Sequence, residues 1–264
     1  MQIIDAHAHI YPEKIAKKAT VAIGDFYDIK MDMPAGTAES LIEEGGRAGV
    51  TGYVVHSVAT TAHQVRSINE FIKKEIDEHK EFIGFMTLHQ DLTEQEVKEE
   101  VDWCIKNGFK GVKLHPDFQK FYIDGENAQK FYQIIGDRLP ILFHVGDDRY
   151  DFSAPERLVK MAKKYPNVRF IGAHFGGYRN WHLAELYRGL DNVYFDTCSS
   201  LAFISPEKAK EIIDMLGAER FFFATDFPMW DATKELDRFM AINLSENQRK
   251  MILYKNIKKF LKID

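Results

Sequence analysis

The chain has 264 residues, 45% of them hydrophobic, and a formal net charge of −5 at pH 7. That is enough apolar material for a large core, and the acidic balance argues against nucleic acid as the main partner, because phosphate binding needs a basic footprint. No apolar run approaches the ~20 residues that span a bilayer, no leader pattern opens the chain, and Cys104 and Cys198 form no CxxC pair, so the expectation is a cytoplasmic protein with no membrane partner.

Short apolar, β-branched or aromatic runs predict strands over 2–9, 52–58, 82–88, 111–115, 141–145, 168–174, 193–196 and 220–225. Amphipathic stretches between them predict helices over 37–48, 61–79, 93–106, 126–136, 155–164, 181–190, 206–216 and 233–241, with two short ones from Ser245 and Lys255. Thr93 with Glu96, and Ser153 with Glu156, have capping-box spacing, and Ser205-Pro206-Glu207 places Pro just inside a helix start. The segment 24–36 is the longest without pattern and is a candidate lid or substrate loop. Strands joined by helical crossovers run parallel, and eight such units in this length predict a single-domain α/β protein, the (β/α)8 TIM barrel. No Gly-rich phosphate loop follows the first strand, which argues against an open doubly wound sheet.

In a barrel the chemistry lies at the C-terminal strand ends. The first strand closes on Asp5-Ala6-His7-Ala8-His9, where alternation puts His7 and His9 on one face about 6.6 Å apart along the axis, able to grip one metal ion. Later strand ends carry Lys113 and His115, His144, His174, Asp196 and Asp226. Lys113 to His144 is 31 positions, His144 to His174 is 30, and His174 to Asp226 is 52, or two units. Metal-competent side chains thus recur once per βα unit, which predicts a metal site. Asp5 lies deeper on the same face, as a partner that orients a ligand or as an ordinary buried hydrogen-bond acceptor. Asp196 reads as structural or as a supporting partner. His56, His63, His79, His89 and His182 fit the scheme less well and read as structural or surface residues.

The motifs DAHAH at 5–9, GVKLHP at 111–116, FHVG at 143–146, AHFGG at 173–177 and TDFP at 225–228 together resemble the amidohydrolase superfamily. Within it they resemble the amidohydrolase-related branch that includes the 2-amino-3-carboxymuconate-6-semialdehyde decarboxylase-like enzymes. The resemblance covers essentially residues 1–264 as one metal-dependent barrel. It implies one divalent metal, most often zinc with manganese as the alternative, bound by His7, His9, His144 and Asp226. It also implies that Asp226 takes a proton from metal-activated water and that His174 polarises substrate or shuttles a proton; metal binding lowers the pKa of water towards about 7. Lys113 is open: carbamylated, it would bridge a second metal, with His115 as an outer donor or ligand. The TatD-like nucleases carry a glutamate-bearing motif where this chain has Gly111-Val112-Lys113-Leu114, which argues against a DNase.

Loops after the strands supply substrate contacts. Arg149 or Arg179 is expected to hold an anionic group bidentately, with an internal salt bridge to Asp147, Asp148 or Asp151 as the alternative, and Tyr178 and Trp230 can wall a planar substrate. The expected activity is metal-dependent hydrolysis of a small, anionic substrate. Non-oxidative decarboxylation of a small unsaturated or aromatic acid uses the same constellation and is the alternative, and a non-catalytic metal-binding barrel is a third reading. The partner expected is a small molecule; a homodimer is compatible with the fold.

Overall fold

The computed structural model describes residues 2–263. β1 (Ile4–His9), β2 (Gly52–His56), β3 (Phe82–Thr87), β4 (Gly111–Leu114), β5 (Ile141–Phe143), β6 (Phe170–Gly172), β7 (Val193–Asp196) and β8 (Phe221–Phe222) form an eight-stranded sheet in the order β1 to β8. The ladders are parallel, as helical crossovers require, and the fold is a (β/α)8 barrel. The chain forms two compact units: Met1–His56, Glu78–Ile83 and Thr197–Asp264 make one, Ser57–Asp77 and Gly84–Asp196 the other. Strands are shorter than their apolar runs, because the final residues of most runs turn out of the ladder to become site residues.

In the first unit, β1 pairs with β2 on one side and with the β8 segment on the other. Ala6 N donates to Phe223 O (2.9 Å), Asp226 N to His7 O (2.9 Å) and His9 N to Phe227 O (2.7 Å). The β1–β2 register slips between Asp5 and Ala8, a local irregularity of the kind that re-aims side chains.

Helix starts follow local chemistry. Thr93 and Glu96 form the expected capping box and Ser205 caps the helix Pro206–Leu216, each such cap being worth about 1 kcal/mol. Three expectations need correction. Ser153 does not cap the helix Pro155–Lys164, whose N-cap is Ala154; its hydroxyl goes to Asp117 instead (2.6 Å). The segment 181–190 is a 3-10 helix, Trp181–Tyr187. A helix, Glu13–Tyr27, fills the region after β1, so Gly24 to Tyr27 of the patternless segment are helical. The rest is tied to the chain after Asp226: Asp32 N donates to Met229 O (3.0 Å) and Met33 N to Pro228 O (3.2 Å).

The helix Ala232–Met240 carries a titration. Glu235 is fully buried, its Oε1 pairs with Arg238, and its Oε2 has no hydrogen-bond partner among the described residues. Burial pushes its pKa up to about 7, with Asp226 and Asp32 adding to the rise and Arg238 opposing it. A carboxyl whose folded pKa lies above its unfolded value binds more protons folded than unfolded between the two, so stability falls as pH rises through that window and is flat above it. Glu235→Gln is therefore expected to be more stable than the parent at pH 8, by roughly 3 kcal/mol, with the gap closing towards pH 4.5. Thermal melts at both pH values check this; an equal gap at both would refute it.

Candidate functional site

The first unit gathers three donors. His7 Nε2 lies 3.3 Å from His9 Nε2, and Asp226 Oδ1 lies 3.4 Å from the former and 3.5 Å from the latter. Donors at about 2.0–2.1 Å from a tetrahedral ion are separated by roughly 3.3–3.4 Å. Two imidazoles and a carboxylate at that spacing fit a divalent metal in both chemistry and geometry. The convergence follows from the slip in β1 and from the β8 segment bonding to His7 O and His9 N, which brings Asp226 beside the pair.

Each donor is held from behind. If His7 offers Nε2 to a metal, its Nδ1 carries the proton, and Cys198 Sγ at 3.4 Å accepts it. Asp5 works one level down: Oδ1 accepts from His7 N (3.1 Å) and Thr225 N (3.0 Å), and Oδ2 from the Thr225 hydroxyl (2.5 Å). It therefore pins β1 to the residue before Asp226 as a buried hydrogen-bond acceptor. Trp230 Nε1 donates to Ser199 Oγ (2.9 Å). Indole N–H can only donate, so the Ser199 hydroxyl hydrogen is directed at Asp226 Oδ2 (2.5 Å). One carboxylate oxygen thus faces the two histidines while the other is taken. Asp226 (φ 59°) and Ser199 (φ 50°) both adopt left-handed backbone, strain of the kind that collects at functional sites.

His56 is the residue that the strand-end scheme underrated. It ends β2, is fully buried, and stands steeply against both histidines, at 4.8 Å from His7 and 4.4 Å from His9 between ring centres.

The second unit carries His144 and His174. His144 Nε2 donates to Gly146 O (2.9 Å), which places the lone pair of a neutral ring on Nδ1; His174 Nε2 donates to that nitrogen (2.9 Å). Gly146 makes this possible: its φ is +82°, and a Cβ there would stand 2.6 Å from Tyr178 N. His174 is itself fixed at both backbone ends, its N–H donating to Asp196 Oδ1 (2.8 Å) and its carbonyl accepting from Trp181 Nε1 (3.1 Å). His174 (φ 62°) and Phe175 (φ 56°) are also left-handed.

Asp117, after β4, accepts from Ser153 and lies 3.5 Å from His144 Nε2; burial pushes its pKa up to about 6. His115 stacks between Phe118 (3.8 Å) and His144 (4.0 Å), and its Nδ1 accepts from Phe118 N (3.3 Å). Lys113 is fully buried on β4.

In the loops, Arg149 makes a two-point pair with buried Asp147, at 2.9 Å and 2.8 Å, so its guanidinium is committed internally. Arg179 lies over the Tyr178 ring at 5.2 Å. Tyr178 is buried, 5.9 Å from the His174 ring, and burial raises its pKa. Trp230 is half-buried on the Ser199 hydroxyl.

Residues 4–263 match the family model described as Amidohydrolase. No curated protein sequence matches significantly. Similar solved structures include 2,6-dihydroxybenzoate decarboxylase from Rhizobium (17% identity, 99% of each chain, TM-score 0.77). A second is a dihydroxybenzoic acid decarboxylase from a Polaromonas species, with bound manganese and the inhibitor 2-nitroresorcinol (16% identity, 99% of this chain and 97% of that one, TM-score 0.76). A third is 5-carboxyvanillate decarboxylase from Sphingomonas paucimobilis (13% identity, 100% and 99%, TM-score 0.77). At these identities the likeness is one of fold. Among the described residues no helix is long and apolar enough to cross a membrane.

Proposed function

The chain belongs to the amidohydrolase family, and from that premise we propose that it is a metal-dependent, non-oxidative decarboxylase of a small aromatic or unsaturated carboxylic acid. The observation that carries this choice is the Trp230–Ser199–Asp226 chain. Hydrolysis needs a carboxylate oxygen to take a proton from an attacking water, and the hydrogen bond that Asp226 accepts from Ser199 makes that carboxylate a weaker base. Decarboxylation needs no such base. The three decarboxylases of like fold support the same choice, which reverses the order of preference drawn from the motifs alone.

The proposed metal donors are His7, His9 and Asp226, whose spacing fits an ion, with His144 added from the family resemblance. The nitrogen-rich set favours zinc, and the manganese in the Polaromonas structure makes that ion the alternative. Bound there, the ion would supply Lewis acidity for the substrate's carboxylate and a neighbouring oxygen. One ion is proposed; a carbamate on Lys113 with a second ion would show as added intact mass and two metal equivalents.

His174 is proposed to deliver the proton. Its Nε2–H donates to His144 Nδ1; as an imidazolium it would give that proton to substrate and return to the neutral ring. Proton transfer goes to the carbon that bears the carboxylate. The carbon–carbon bond then breaks, its electron pair returns to the π system, and CO2 leaves. Asp196 and Trp181 hold the His174 backbone so that the ring need not reorganise. Tyr178 is proposed as one wall for a planar ring, with Arg179 beside it for a further anionic group; Arg149 acts by holding Asp147. Metal-loaded protein incubated with hydroxylated benzoic acids should release CO2, measured against lactone and amide panels; turnover confined to the latter would return the reading to hydrolysis.

A further inference from the structure

We propose that His56 is a further donor to the metal held by His7, His9 and Asp226, so that this compact unit presents three imidazoles and a carboxylate. The proposal rests on the metal-site reading above and extends it to a residue outside the family motifs. His56 closes β2, and its partner across the β1–β2 ladder is His9. The parallel pairing therefore sets His56 level with His9, and His7 lies two residues earlier on the same face of β1.

Ring geometry points the same way. His56 meets the His7 ring at 71° and the His9 ring at 87°. Imidazoles that share an ion are free to be steep to one another, because each ring plane needs to contain only its own bond to the ion. One ring nitrogen from each of the three lies within 4.8 Å of the others. Donors around a tetrahedral ion are roughly 3.3–3.4 Å apart, so a side-chain shift of up to about 1.5 Å brings His56 into the shell. A third imidazole also moves the set towards nitrogen, and so towards zinc over manganese.

The test strips the protein with chelator and titrates it with zinc, then with manganese, against a chromophoric competitor, for the wild type, His56→Gln and His56→Ala. Zinc-edge X-ray absorption of the loaded forms counts imidazoles. Zinc affinity is expected to fall about 10–100-fold in both variants, manganese affinity less, and the imidazole count by one. Melting temperatures of the metal-free variants near that of the metal-free wild type separate this from unfolding, and the absorption count reads on whichever variant folds. Unchanged zinc affinity and imidazole count in His56→Gln would overturn the proposal while leaving the His7–His9–Asp226 site intact. A wild type that takes up no metal would overturn both readings.

Discussion

A chain carrying His7→Ala and His9→Ala together is expected to purify folded, to hold no stoichiometric metal, and to lose at least roughly 10³-fold in turnover. Two of the three donors that lie 3.3–3.5 Å apart are then gone, and Asp226 with the proposed His144 and His56 lacks the close pair that anchors the ion. Fold retention follows from where the stability resides. β1 keeps its backbone ladder to β2 and its three bonds to the β8 segment, neither of which uses an imidazole. Each buried truncation costs about 1–3 kcal/mol, against a typical total of 5–15 kcal/mol, and removing imidazoles also relieves two polar rings packed together. Metal content by mass spectrometry, circular dichroism melts and kcat/KM are the measurements. Full metal content in the double variant would remove the foundation of the site.

The second large effect is expected from His174→Asn, which should lower kcat by about 10²–10⁴-fold while metal content and KM change little. Asn is the conservative choice because position 174 has φ 62°, a left-handed conformation that Asn tolerates better than most residues. The contacts that shape the turn, from Asp196 Oδ1 and Trp181 Nε1, use the backbone of residue 174 and survive the change. What is lost is the Nε2–H. In deuterated water the product should carry deuterium at the carbon that lost CO2, and the variant should form that product slowly. Undiminished kcat would remove His174 from proton delivery.

Much of this was legible because strands and metal ligands both obey short-range rules. Alternation put His7 and His9 on one face, and the unit repeat placed His144, His174 and Asp226 at strand ends. The helix Glu13–Tyr27 escaped because its buried stripe is Ala16, Thr20 and Gly24, small residues at the right spacing that carry little hydropathy, behind an N-cap, Pro12, without a side-chain cap. Ser153 misled because a hydroxyl three residues before a glutamate reads as a cap wherever it occurs, and the competing acceptor, Asp117, lies 36 positions away. Cys198 and Ser199 escaped for the same reason. Their partners, His7 and Asp226, are 191 and 27 positions distant, and nothing local marks a cysteine or serine as the group that steadies a ligand.

The seam between β1 and the β8 segment joins Asp5 to Thr225, 220 positions apart. A ribosome-bound chain therefore has its first histidines long before it has the aspartate to complete them. Until that segment is made, His7 and His9, and His56 with them in the proposed set, lack the carboxylate that stands beside them. An ion held by the proposed donors would act as a clasp on that seam, stabilising a closure whose long loop costs entropy.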